Sequence, residues 1–149
     1  MSWHEAQSFC NSISCPNSEE PNSAHLVEIF NQEQQDFMVM KAFEAESFTL
    51  SEREWWIGMT DDNSEGIFLI FKNKIIIYKI SYFFKILGRW FWIHSLKPAE
   101  FLPWGVWQPD GDKTANFGAM FAGFDYRWTD ETSAFEYRGG AYPICQFVY

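Results

Sequence analysis

Gln108-Pro109-Asp110, followed further along by Trp128-Thr129-Asp130, sets oxygen-bearing side chains on two separated stretches of this chain. A carboxamide and two carboxylates are hard donors of the kind that hold calcium, which takes about 6–8 oxygen ligands and tolerates irregular geometry. Proline fixes its own φ and makes the first stretch a defined turn. A cis Gln108-Pro109 bond, a minority state at about 5–6% of X-Pro bonds, would turn both flanking side chains toward one point. Taken alone the triplet reads as an ordinary surface turn; the company it keeps argues otherwise.

The elements that must position these groups are partly legible. Ser2 and Glu5 have the spacing of a capping box, so the chain opens on a helix, and Asn31 with Gln34 repeats that spacing at a second helix running toward Glu46. Phe37, Met38, Met40 and Phe43 of this second helix are expected in the core. Trp55-Trp56-Ile57-Gly58-Met59 reads as a buried strand in which Gly58 permits close backbone approach. Residues 98–123 read as one long loop, a length that in a small domain marks function or disorder. Phe124–Trp128 and Tyr142–Val148 read as closing strands.

Composition bounds the partners. The 149 residues suffice for one core and one domain. Eight Trp and an aromatic content of 20% mean that rings supply much of that core and that indole N–H groups need buried partners. The formal net charge of −9 argues against nucleic acid, whose phosphates call for clustered Lys and Arg. Cations or neutral polar ligands fit better, although an acidic surface also serves solubility alone. The cysteine count is odd: Cys10, Cys15 and Cys145 are either reduced thiols or one bridge with one cysteine left over.

Read in order, Trp3, Ala6 and Cys10, Ala24-His25-Leu26-Val27, Trp56-Ile57-Gly58-Met59-Thr60-Asp61, Glu65-Gly66, Arg89-Trp90-Phe91-Trp92, Phe101-Leu102-Pro103-Trp104, Gln108-Pro109-Asp110, Trp128-Thr129-Asp130 and Ile144-Cys145 form a series. That series resembles the C-type lectin domain over nearly the whole chain except residues 67–88. The resemblance implies an α+β fold of two helices with small antiparallel sheets and a long ligand-binding loop region. It implies a disulfide between Cys10 and Cys145, and hence an oxidising, extracellular or secreted setting. It implies calcium held by Gln108, Asp110 and Asp130, with a glycan or glycoprotein as partner, and Gln-Pro-Asp goes with galactose-type sugars. A carboxamide donates where a carboxylate only accepts, which is the physical basis of that preference.

The chain departs from the resembled pattern in several places. Ala115 occupies an expected glutamate and Thr129 an expected asparagine, so two ligands are missing and Asn116 stands in as a substitute ligand. Calcium affinity is then weak, about 10⁻⁴–10⁻³ M as in other extracellular modules, or absent. Phe117 and Ser133 stand where a second bridge is expected, with Phe117 replacing it by packing. No Trp follows Asp110 closely enough to serve as a platform for an apolar sugar face. The alternative reading is a calcium-independent domain of the same fold with a protein-binding or structural role.

Two stretches look out of place. No signal-peptide pattern precedes the helix at Met1, which conflicts with a disulfide-bearing domain. The expectation is that the natural N-terminus lies upstream, and an in-frame stop codon just before Met1 would refute it. Ile67 through Gly88 is built almost entirely of Ile, Phe, Lys, Asn and Tyr, and contains Lys72, Lys74, Lys79 and Lys85 but no Asp or Glu. Those residue types share AT-rich codons, and excising the segment joins Glu65-Gly66 to Arg89-Trp90. Translated intron sequence is the expectation for 67–88. A membrane span is disfavoured because each Lys near the bilayer centre costs about 2.5–3.5 kcal/mol; a β-hairpin insertion is the other rival.

Catalysis finds little support. His4, His25 and His94 are isolated in sequence, and His4-Glu5 lacks the second histidine of a zinc-protease helix. Asp130, Glu131 and Glu136 are carboxylates in a chain where carboxylates are common, which leaves a glycosidase pair unspecified. There is no glycine-rich phosphate loop, and no Asn-x-Ser/Thr acceptor.

Overall fold

The computed structural model describes residues 1–14, 24–46, 53–62, 68–71, 74–77, 90–111, 114–134 and 141–147. Helix α1 (Trp3–Ser12) starts with the expected capping box: Ser2 Oγ accepts from Glu5 N, and Glu5 Oε2 accepts from Ser2 N at 2.7 Å. Strand β1 (Ala24–Leu26) leads to α2 (Gln32–Glu46), where Asn31 Oδ1 caps Gln34 N at 2.9 Å. The reciprocal contact is displaced by one residue, since Gln34 Oε1 accepts from Phe30 N. Strands β2 (Glu54–Thr60), β3 (Phe68–Phe71), β4 (Lys74–Ile77), β5 (Phe91–Trp92) and β6 (Ala115–Phe121) follow. A short 3₁₀ turn at Ala122–Phe124 then leads to β7 (Arg127–Thr132), β8 (Ala141–Pro143) and β9 (Cys145–Phe147).

Strand β2 is the axis. It pairs with β6 along one edge, and along the other with β8 in parallel and with β5; β6 in turn pairs with β7. All seven β2 residues are buried, and their alternation splits the core in two. Trp55, Ile57 and Met59 join Val27, Ile29, Ala42, Trp92, Met120 and Trp128 on the α2 side. Trp56 joins Trp3, Ala6, Cys10, Leu26, Phe117 and Ala119 on the α1 side. This is the period-2 logic of a strand covered on both faces. A Cβ on Gly58 would lie 2.8 Å from Leu26 O, so glycine is what allows β1 to approach β2.

The aromatic inventory is satisfied as the composition demands. Trp3 Nε1 donates to Ile57 O, Trp56 Nε1 to Met1 O, Trp55 Nε1 to Glu46 Oε1 and Trp128 Nε1 to Gln35 Oε1. Glu46 also accepts from the Tyr126 hydroxyl at 2.7 Å, tying the end of α2 to the turn before β7.

Cys10 and Cys145 form a disulfide that joins α1 to β9 across 135 residues of sequence. Phe117 is buried and packs its ring 4.8 Å from that of Trp3, whose backbone N donates to Ser133 O. Phe117 and Ser133 thus both meet Trp3, the first at its ring and the second at its backbone. Cys15 lies outside the described residues. So does most of 67–88; its described parts, β3 and β4, pair with each other as an antiparallel sheet of their own.

Three local expectations need correction. In α2 the buried positions are Gln35 and Ala42, with Met38 partly buried, while Phe37, Met40 and Phe43 are exposed. The helix turns its 35–38–42 face inward because Gln35 is needed beneath Trp128. Residues 98–123 are not one loop: Ala115–Phe121 is an interior strand, its short residues leaving room for larger neighbours. Gly118 shows this most clearly, as a Cβ there would lie 2.9 Å from Met59 Cε. The strand expected at 124–128 begins at Arg127, because Asp125 and Tyr126 adopt left-handed φ of 52° and 58° and break the extension before it.

Candidate functional site

Strand β7 carries Thr129, Asp130 and Glu131, and the segment leading to Asp110 is laid against it by backbone bonds. Trp128 N donates to Pro103 O at 3.0 Å, Gly105 N donates to Trp128 O at 2.8 Å, and Gln108 N closes a turn onto Gly105 O. Gly105 is buried under Phe124, where a Cβ would sit 2.9 Å from the ring. Anchored there, the chain passes through Trp107 at φ 66° and a cis Gln108-Pro109 bond to Asp110.

The two stretches then meet side chain to backbone. Asp110 N donates to Asp130 Oδ1 at 2.9 Å. Gln108 Oε1 accepts from Thr129 Oγ1 at 3.0 Å and from Asp130 N at 3.3 Å. Gln108, Asp110 and Asp130 are therefore gathered as the sequence suggested. Thr129, read as a missing ligand, instead supplies the hydroxyl that orients the Gln108 amide. It also lies 3.1 Å from Glu131 Oε1, its neighbour on the same strand face. Asn116 sits at a bulge where β6 shifts register against β7, and its carbonyl accepts from Asp61 N and Thr60 Oγ1.

Burial and mutual repulsion set the electrostatics. Asp130 is 5% exposed. Desolvation raises its carboxyl pKa above the ordinary value, with the Asp110 charge adding to it and the N–H groups of Asp110, Asp130 and Gly111 opposing. Glu131 is pushed up to about 7, first by burial, against the Thr129 hydroxyl that lowers it, and then by Asp130 and Asp110. Sequence reasoning weighed Glu131 only as a catalytic carboxylate and did not group it with Gln108 and Asp110. The signal was its i, i+2 relation to Thr129 on a strand, which puts both on one face.

As a calcium holder the cluster fits in donor type and falls short in number. Asp110, Asp130 and the Gln108 carbonyl oxygen are hard oxygen groups, and Glu131 adds a carboxylate alongside. Gln108 Oε1 accepts from Asp130 N and competes with Glu131 Oε1 for the single proton of the Thr129 hydroxyl, so metal ligation there competes with protein donors. Ala115, at the position of an expected glutamate, offers no side-chain oxygen. Among the described residues no set of three His, Cys, Asp or Glu side chains is arranged to hold a metal ion.

Comparison with known proteins agrees with this architecture. No protein-family profile matches the chain. Over 65 residues, 44% of the chain, it is 37% identical to C-type lectin domain family 4 member F of Mus musculus, spanning 9% of that protein. Over 69 residues, 46% of the chain, it is 35% identical to echinoidin of Heliocidaris crassispina, spanning 46% of it. The matches thus cover less than half the length of either relative. Among solved structures, the C-type lectin CEL-I from Cucumaria echinata superposes with a TM-score of 0.60 at 18% identity, over 90% of this chain and 76% of CEL-I. The SPL-1–GlcNAc complex gives 0.55 at 19%, over 89% and 71%. Two helices flanking small antiparallel sheets, with a bridge from the first helix to the last strand, make this the C-type lectin-like fold. In sequence the chain is similar to C-type lectins over less than half its length, and in fold it is similar to them over most of it.

Proposed function

We propose that this domain binds glycans at the Gln108–Asp110–Asp130 cluster, outside the cell, with galactose-type preference and weak calcium dependence. The observation that carries the reading is the joining of the two stretches: Asp110 N on Asp130 Oδ1 and Asp130 N on Gln108 Oε1. One of the structural neighbours is described as a complex with GlcNAc, which supports a sugar as the ligand class.

The chemistry follows from the side chains. Gln108 Nε2 is a donor and the Asp110 carboxylate an acceptor, placed two residues apart on an exposed turn. Vicinal hydroxyls of a sugar each donate and accept, and so can satisfy both. Asp130 lies beneath as a buried acceptor that holds Asp110 in place. Calcium, where bound, would be held by Asp110, Asp130 and Gln108, and supplies positive charge that offsets the clustered carboxylates. Asn116 is proposed as an additional oxygen ligand from the adjacent bulge.

The calcium-independent alternative is favoured by one specific observation, the protein donors already directed at Gln108 Oε1 combined with the absent side-chain oxygen at Ala115. Glycan-array binding with and without chelator separates the two. The expected result is galactoside binding that a chelator weakens and that Asp130→Asn weakens at least tenfold. Binding indifferent to chelator assigns the domain to the alternative; no glycan binding under any calcium concentration overturns both the sugar and the metal.

A further inference from the structure

A groove of about 230 Å³ opens where α2 begins, lined by Phe30, Lys97, Pro98, Glu100 and Phe101. Its apolar wall exists because a common helix-start contact does not form. Phe30 stands one residue before the Asn31 cap, where a hydrophobic residue ordinarily packs on the fourth residue of the helix. Here that fourth residue is Gln35, turned inward to Trp128 Nε1, and Phe30 is left 40% exposed. Its ring packs 5.6 Å from that of Trp92, and the Phe101 ring packs 5.8 Å from that of Trp128. Both indoles are fully buried, so the aromatic walls are backed by core and do not fold shut.

The charged rim is held as firmly. Trp92 N donates to Lys97 O at 2.9 Å, Ala99 N donates to Trp90 O at 2.9 Å, and Pro98 pairs with Phe91. The chain from Lys97 onward therefore runs extended beside β5, with Pro98 fixing its own φ. Lys97 Nζ stands 5.6 Å from the centre of the Phe30 ring. Lys97 and Glu100 are both exposed, and among the described residues neither has an ion-pair partner.

We propose that this groove is a peptide-binding site. It takes one apolar side chain from an extended segment of a partner protein, with an acidic residue of that segment on Lys97 and a basic one on Glu100. The site stands apart from the Gln108–Asp110–Asp130 cluster and needs neither sugar nor metal. The groove is smaller than the roughly 300–1,000 Å³ of a small-molecule pocket, so it holds one side chain and not a whole ligand. Two Phe rings and a proline ask for an apolar group there. The charges set the direction of the segment. Lys97 and Glu100 lie three residues apart, about 10 Å along an extended chain, and a segment with acid and base at that spacing matches them in one orientation only. The reverse order sets like charges face to face. A neutral glycan uses neither charge. Because the walls are already in place, little has to be ordered when the segment arrives.

The test uses the full 149-residue chain in chelator, with two dye-labelled peptides read by fluorescence anisotropy. One carries Asp-Phe-Gly-Lys between glycines, and the other has its Asp and Lys exchanged. The expected result is that one order binds at least about fivefold more tightly than the other. That preference should shrink in about 1 M salt, where exposed pairs are screened. The double exchange Lys97→Glu with Glu100→Lys should reverse the preference at an unchanged thermal midpoint, since both side chains are exposed. Phe30→Ala should weaken both peptides. Equal binding of the two orders, or an original preference kept by the exchanged variant, overturns the proposal. So does the absence of binding by either peptide up to about 5 mM. A dimer in sedimentation that Phe30→Ala dissociates also overturns it, by giving the groove to a second copy of this chain.

Discussion

Replacing Gln35 with Met tests whether α2 is held to β7 by two interior hydrogen bonds and not by the apolar stripe on its outer face. Gln35 is 4% exposed; its Oε1 accepts from Trp128 Nε1 at 3.0 Å and its Nε2 donates to Tyr126 O at 2.9 Å. Met has similar length and helix propensity, so the change removes hydrogen bonds without disturbing the helix. The Trp128 indole N–H, fully buried, loses its partner at about 1–3 kcal/mol, and the half-buried Tyr126 carbonyl adds the lower end of that range. Burying the methionine tip returns about 1 kcal/mol. The expected net loss is about 2 kcal/mol, or about 4–8 °C in thermal midpoint for a domain of this size. Urea unfolding at constant m-value measures it. Phe43→Gln, at a position 65% exposed, should stay within about 0.5 kcal/mol. If Gln35→Met is neutral, or Phe43→Gln costs as much, the helix faces the other way and the inner-face assignment is wrong.

Three further outcomes are expected. Replacing both Cys10 and Cys145 with Ala should lower stability by about 5 kcal/mol on the loop-entropy model for a bridge spanning 135 residues, and a non-reducing peptide map should recover the two half-cystines in one species. Gly58→Ala should cost about 1–3 kcal/mol in urea unfolding, because the new Cβ meets the Leu26 carbonyl at 2.8 Å and β1 must back away. The His94 ring stacks on His25 with centroids 3.7 Å apart, and burial, then the His25 charge, hold its pKa below the usual imidazole value against the opposing pull of Glu28. A base with a depressed folded pKa leaves the unfolded chain binding more protons, so stability is full above about pH 6.5 and falls as pH drops below it. Urea midpoints at pH 7.5 and 5.5 should show that fall, and His94→Asn should flatten it.

Much of the fold was legible because local chemistry and long-range packing agreed. Ser2 with Glu5 and Asn31 with Gln34 opened helices where capping residues belong, and the Trp55–Met59 run became the strand buried on both faces. Gln108, Asp110 and Asp130 were legible as a cluster through the resemblance of their spacing, and the bonds between them follow that grouping. What failed did so for identifiable reasons. The apolar residues of α2 misled because the helix turns its polar Gln35 inward to meet an indole N–H that no periodicity rule anticipates. Ala115–Phe121 was passed over because Ala and Gly there are small to fit Met59 and its neighbours, which weakens the usual strand signature. The exposure of Trp107 was not legible among eight Trp, since it is set by the turn geometry between Gly105 and Gln108 and not by residue type.

The meeting of Phe117 and Ser133 at Trp3 has a consequence for how this domain responds to reductant. Among the described residues, the contact between α1 and the β6–β7 edge is made by ring packing and a peptide N–H, neither of which thiols can attack. Mild reduction should therefore release the tether between the first helix and the last strand while Asp130 and its companions keep their register. The geometry of the Gln108–Asp110–Asp130 cluster and the covalent closure of the chain would then be separately adjustable properties of one small body.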